Sequence, residues 1–260
     1  MSFCYTYGVT PRGPLLAALF CLGLSAPAAA LYEGASETAR AEPASLASVI
    51  LDPGHGGQDL GAVAGGRYEK DIALAVARRV KAKLQALGQK SVKLTRDADV
   101  YIPLDKRIDE SADGLAFVSL HLNETRSKKP HGITVYAFGR QTTRLPTRKR
   151  HLKLPQLPPP PKDAARASAD LARALVSSMR AQGFRVDPPA KAHFYVLKNP
   201  RVPSVLIELG YISNPAERAR LSSPDYQDKL AEAVAVSLRS YFLQTAAAKP
   251  AVLSAASGAR

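Results

Sequence analysis

From about residue 48 onward, short runs of Val, Ile and Leu alternate with longer stretches in which apolar residues recur every three or four positions. The short runs have strand length and the longer ones the helical period. Their alternation predicts an α/β fold: a single three-layer domain with a mostly parallel, mixed central sheet flanked by helices. The first run, 47–51, stops at Asp52-Pro53-Gly54, where proline and glycine force a turn. Ile72, Val76, Val80, Leu84 and Leu87 then share one face of a helix predicted over 70–87 and closed by Gly88. A short strand is expected at 91–95, a helical stretch opening near Ile108, and strands at 115–120 and 133–138. Ala167, Leu171, Leu175 and Met179 place a second long helix over 164–182, ended by Gly183. Residues 205–209 form the last clear strand, and 225–242 the closing helix.

Segments that break this pattern outline the rest of the chain. Arg12, an apolar run over 15–24 and the small residues Ala26 and Ala28 to Ala30 read as a secretory signal over 1–30. The run is too short for a membrane anchor, which needs about 20 apolar residues, so no stable membrane insertion is expected after cleavage. Residues 31–47, rich in Ala, Glu and Ser, read as a linker, and 243–260 as a disordered tail, too poor in large apolar groups to pack. Both cysteines, Cys4 and Cys21, fall in the signal, so the mature domain rests on its core without disulfides. Between 139 and 163, Arg140, Arg144, Arg148, Lys149, Arg150 and Lys153 precede four prolines at 158–161, which can continue neither helix nor strand. This is a solvated loop, a functional flap or a disordered arm.

Composition is ordinary for a globular protein, 46% hydrophobic and 22% charged. The balance of 36 Lys and Arg against 22 acidic residues, net +14, suits a polyanionic partner. Nucleic acid ranks last among such partners: the chain has no recognisable binding motif, few aromatic residues for stacking, and an export signal.

Candidate chemistry sits where strands end, the usual ligand crevice of an open α/β sheet. His55 lies in the Gly-rich turn after the first strand, Glu69 fourteen residues later at the start of the long helix, and His121 after another apolar run. Two imidazoles and a carboxylate meeting at one crevice would make a zinc site with an open fourth position for water. The plainer alternative is a pair of unrelated histidines bonded to backbone and a glutamate favouring its helix dipole. Glu208 follows Val205-Leu206-Ile207 and would sit buried unless it faced a site. A glutamate beside a metal-activated water can act as general base and then as general acid in amide hydrolysis.

Asp52-Pro53-Gly54-His55-Gly56-Gly57, Glu69-Lys70-Asp71, Leu94-Thr95-Arg96-Asp97, Ser119-Leu120-His121-Leu122-Asn123 and Ile207-Glu208-Leu209-Gly210-Tyr211-Ile212-Ser213-Asn214 resemble, in order and spacing, the blocks of zinc-dependent N-acetylmuramoyl-L-alanine amidases of amidase type 3. The resemblance covers essentially all of 48–242. It implies hydrolysis of the amide between N-acetylmuramic acid and L-alanine in peptidoglycan, in cell-wall remodelling or daughter-cell separation, in the periplasm or cell envelope. By position, His55, Glu69 and His121 would bind Zn2+ and Glu208 would be catalytic. Within matching motifs, Asn123 is expected to orient site or substrate, and Arg96 to tie the sheet end to neighbouring carboxylates. His131, His151 and His193 read as surface histidines.

The basic excursion falls where related envelope amidases insert a regulatory helix, but its prolines make it a poor helix former. An arm holding the enzyme to anionic envelope polymers fits the composition better, with 162–166 open to forming a short covering turn. Peptidoglycan is the expected partner, a divisome-linked activator a further candidate, and a monomer the expected state. The rival readings are a non-catalytic wall-binding module of the same fold and a zinc peptidase acting on the stem peptide.

Overall fold

In the computed structural model, residues 48–112, 114–141 and 156–257 are described. The expected signal and linker lie outside them, as does 142–155 of the basic excursion. Strand β1 (Ser48–Pro53) is buried along its whole length, as a central parallel strand must be. A two-stranded hairpin, β2 (Val63–Ala64) and β3 (Arg67–Tyr68), leads into helix α1 (Glu69–Ala86). There follow β4 (Val92–Leu94), α2 (Leu104–Asp109), β5 (Gly114–Asn123), β6 (Thr134–Phe138) and α3 (Lys162–Ala181). The chain continues through β7 (Ala190–Ala192), a 3-10 turn (Tyr195–Lys198), β8 (Ser204–Tyr211), α4 (Pro215–Leu221) and α5 (Pro224–Ser257).

The main sheet has the order β4-β1-β5-β8-β6-β7. All neighbours run parallel except β6, which opposes β8. Side chains alternate across it: Val49, Leu51, Val118, Leu120, Val205 and Ile207 enter a large core with apolar residues of α1, α3 and α5. Ile50, Phe117, Tyr136 and Leu206 face a smaller core closed by the 3-10 turn and Leu104 of α2. Because β6 is reversed, it starts at the end of the sheet where β8 finishes, with Thr134 opposite Glu208.

The predicted mixed α/β sheet is thus present, with four local differences. Strand β5 runs on through Asn123, so His121 lies inside the strand instead of just beyond it. Helix α2 starts after Pro103, which places Ile108 near its end and not its beginning. Helix α3 begins at Lys162 directly after Pro161, so 162–166 is its first turn and no separate covering turn; proline sets the entry to a helix well while forbidding its continuation. Helix α5 continues past Phe242 through Ser257, so the tail expected to be disordered is helical there: its alanines favour helix, although Pro250 lacks the N–H that would bond the preceding turn. The hairpin, β7, the 3-10 turn and α4 carry too few residues to register as hydrophobic periods.

Candidate metal and catalytic centre

The turn after β1 is held by two buried guanidinium groups. Arg107 donates to Asp52 Oδ1 (2.6 Å), Pro53 O (2.8 Å) and His55 O (2.6 Å). Arg96 donates to Pro53 O (2.9 Å), Gly54 O (2.8 Å) and Lys70 O (2.8 Å). Arg96 therefore ties the sheet end together through carbonyls, not through the carboxylates expected from sequence; the carboxylate is taken by Arg107. This clamp matters because His55 has φ 61°, a left-handed conformation that a residue with Cβ keeps only when its surroundings enforce it.

The three candidate ligands are brought together. His55 Nε2 lies 3.1 Å and His121 Nδ1 2.8 Å from the same Glu69 Oε1. The rings stand edge to face with centroids 4.8 Å apart, and one donor atom from each residue falls within 4.8 Å of the others. Two of the three are braced from behind. His55 Nδ1 bonds Asp59 Oδ2 (2.9 Å), leaving Nε2 to face the shared point. Glu69 Oε2 accepts from Ala62 N–H (2.7 Å) and Oε1 from Leu122 N–H (2.9 Å). The Glu69 side chain is thus committed to the histidines and these amides, and α1 has no side-chain cap.

Two glycines make room for this packing. A Cβ on Gly54 would lie 2.3 Å from the His121 ring, and one on Gly61, whose φ is +70°, 2.6 Å from Glu69 Oε2. The donor set of two nitrogens and one oxygen, closely gathered and braced, fits zinc.

Electrostatics follow the geometry. Burial disfavours a charged His55, but its hydrogen bonds to Asp59 and Glu69, and their charges, outweigh this and raise its pKa to about 9. Burial pushes the other way on Glu69, yet the bonds and charges of His121 and His55 pull its carboxyl well below the usual range.

Glu208 sits beside His121 in the neighbouring strand and on the same face of the sheet. The residue is half-buried, while its Oε2 is buried with no hydrogen-bond partner among the described residues. Burial raises its pKa well above the ordinary glutamate value, and the nearby Glu69 charge adds to the rise while His55 opposes it. Glu208 thus stands next to the three converging residues and is not one of them.

The remaining sequence candidates divide. Asn123 is buried, and its backbone carbonyl accepts from Ile212 N–H (2.9 Å), joining the end of β5 to the chain after β8. His193 is exposed and edge-on to Phe138 at 5.0 Å, and exposed His131 bonds only Lys129 O (3.1 Å). His151 lies outside the described residues. Sequence reasoning missed Asp59 and Arg107. Asp59, four residues after His55, could have been found as a carboxylate close enough in sequence to hold the histidine's other ring nitrogen, whereas Arg107 lies 55 residues from Asp52 and gave no signal.

The chain belongs to the N-acetylmuramoyl-L-alanine amidase family, whose model matches residues 49–240. The N-acetylmuramoyl-L-alanine amidase AmiC of Escherichia coli is 29% identical over 221 residues, 75% of this chain and 52% of that protein. The probable cell wall amidase LytH of Staphylococcus saprophyticus is 32% identical over 212 residues, 80% of this chain and 62% of that protein. A solved N-acetylmuramoyl-L-alanine amidase from Clostridium difficile 630 matches with a TM-score of 0.64 at 27% identity, covering 76% of this chain and 98% of that one. The chain thus spans between half and two thirds of the two curated relatives.

Proposed function

We propose that this protein is a zinc-dependent N-acetylmuramoyl-L-alanine amidase, hydrolysing the amide between N-acetylmuramic acid and L-alanine of peptidoglycan in the cell envelope after export. The observation that carries this reading is the meeting of His55 Nε2, Glu69 Oε1 and His121 Nδ1, with the unpartnered Glu208 Oε2 alongside, in a chain of this family. Those three residues would hold the ion. Zinc bound there supplies a charge that polarises the scissile carbonyl and acidifies a water.

The protein's own part is proton handling and alignment. Glu208 takes the proton of the attacking water and delivers it to the departing L-alanine nitrogen, a role suited to a carboxyl whose proton affinity burial raises above that of an ordinary glutamate. Asp59 fixes the tautomer and direction of His55, and the amides of Ala62 and Leu122 fix Glu69. Among the described residues no helix is long and apolar enough to cross a membrane.

Mass analysis of sacculus digests tests the reading. Free stem peptides beginning at L-alanine are expected, abolished by chelator and restored by zinc. Cuts within the stem would favour a peptidase, and no products at all a non-catalytic wall-binding module. Glu208→Gln should keep bound zinc yet lose about 10²–10⁴-fold of the rate; full activity in that variant removes Glu208 from the chemistry. His55→Ala and His121→Ala should lose both zinc and activity, and normal metal content in either would disprove ligation.

A further inference from the structure

Lys70 occupies a position that disfavours it twice. It is the second residue of α1, where the positive end of the helix dipole repels a cation, and it is only 8% exposed, a burial that lysine tolerates only when paired. Neither the helix nor the core accounts for it. Its ammonium group donates to Gly57 O (2.9 Å) and to Asp99 Oδ2 (2.6 Å), while Asp99 Oδ1 accepts from Gly57 N–H (2.8 Å). The two side chains thus close around one residue and satisfy both of its backbone polar groups.

Gly57 is where such a grip is needed. His55, Gly56 and Gly57 are three successive residues of positive φ, at 61°, 124° and 56°, and glycine loses more conformational freedom on ordering than any other residue. Arg107 holds the His55 carbonyl, and Gly56 pairs with Asp59 through both backbone groups (2.9 and 3.0 Å), which leaves Gly57 to Lys70 and Asp99. The pair has a firm footing. Lys70 directly follows Glu69, and its carbonyl accepts from Arg96 (2.8 Å), the same guanidinium that binds Pro53 O and Gly54 O. Asp99 lies three residues after Arg96, and Asp97 between them pairs with Arg78 of α1 at 2.6 Å. One buried side chain therefore joins the turn that carries His55 to the helix that begins with Glu69. Those two segments must meet for His55 Nε2 to lie 3.1 Å from Glu69 Oε1.

Resting on the amidase reading for the identity of the ion, we infer that Lys70 and Asp99 are positioning residues. They hold the His55 turn against the start of α1 in the form that accepts metal, and so set how tightly the site takes zinc. A site ordered in advance loses less freedom on binding, so a loosened turn shows as weaker affinity.

The test is a titration of the purified protein, stripped of metal, with zinc alone in competition with a chromophoric chelator. Lys70→Met and Asp99→Ala should each raise the zinc Kd about tenfold or more. Because both break the same grip, Lys70→Met/Asp99→Ala should bind within about twofold of the weaker single variant; a rise equal to the product of the two would overturn the shared grip. Asn214→Ala, whose side chain bonds α4 and Pro130, is the control for general stability and should lower the melting temperature at an unchanged Kd. If it weakens zinc binding as much as the other two, the inference falls. A lower melting temperature with unchanged Kd in Lys70→Met and Asp99→Ala would overturn it as well, as would a rise confined to KM on sacculi, which would place the pair in substrate binding. The Asp99 side chain is 51% exposed, so Asp99→Ala carries the comparison if Lys70→Met does not fold. Wild-type protein that binds zinc but releases no stem peptide would overturn the amidase reading and leave this comparison standing, whereas wild type that binds no zinc would overturn both.

Discussion

Asp52 is fully buried, and its charge survives there only because Arg107, Ser119 and Thr95 surround it. Burial alone would raise its pKa; the Arg107 charge and the hydrogen bonds of Ser119, Thr95 and Arg107 outweigh this and lower it. A folded pKa below the unfolded one contributes stability that is complete above the ordinary aspartate range near about 4 and is lost as pH falls through the folded value. Removing the cation leaves a buried charge without its partner, so Arg107→Met should cost about 3–5 kcal/mol at pH 7, a penalty that shrinks as falling pH protonates Asp52. Urea titrations at neutral and acidic pH read both effects. If the pair governs stability, Asp52→Asn/Arg107→Met should recover part of that loss, and a strictly additive double variant argues against the pairing. At this scale the sequence exposed the candidate site residues and hid those that hold them. His55, His121 and Glu208 stand at or near strand ends, where polar groups in apolar runs are conspicuous. Arg107 is one basic residue among many on a short helix, and only the folded chain brings it to Asp52.

A second lesson belongs to the elements. Helix α4 has seven residues, too few for a period, and its start went unread although Asn214 caps it by accepting from Ala216 N–H (2.9 Å) and Glu217 N–H (3.2 Å), with Pro215 at the first helical position. The helix exists to present Glu217, whose buried carboxylate takes Gly132 N–H (3.0 Å) and Tyr211 N–H (2.8 Å). It thereby pins the approach to β6 against the end of β8, beside Glu208. Glu217→Ala strands two amides and should cost about 2–4 kcal/mol, against about 1 kcal/mol for Asn214→Ala. Both should appear as a lower urea midpoint with an unchanged slope; an Asn214→Ala loss equal to that of Glu217→Ala would mean the cap, not the carboxylate, holds this corner. The long helices and central strands were readable because burial on a regular face imposes a period. The reversal of β6 was not, since an apolar run of five residues looks the same in either direction. Nor was the β2–β3 hairpin, which has two residues per strand.

Over the whole molecule the feature left to account for is the net charge of +14, to which the basic excursion contributes heavily. The proposal that this excursion anchors the enzyme to anionic envelope polymers now acquires boundaries. Its proline end belongs to the folded body: Lys198 Nζ donates to Leu157 O (3.1 Å), Pro160 is buried, and Pro161 leads directly into α3. A deletion reaching Pro161 would damage the domain along with the arm, so the informative deletion covers 142–155 alone. It removes Arg144, Arg148, Lys149, Arg150 and Lys153 while sparing Leu157 and Pro160. An electrostatic anchor weakens as salt shortens the screening length from about 30 Å at 0.01 M to about 10 Å at 0.1 M. The deletion should therefore reduce cosedimentation with sacculi strongly at low salt and little at high salt, with the melting temperature unchanged. Equal sedimentation of the two proteins at low salt would show that the basic segment does not hold the wall, and attention would pass to charge spread over the catalytic domain.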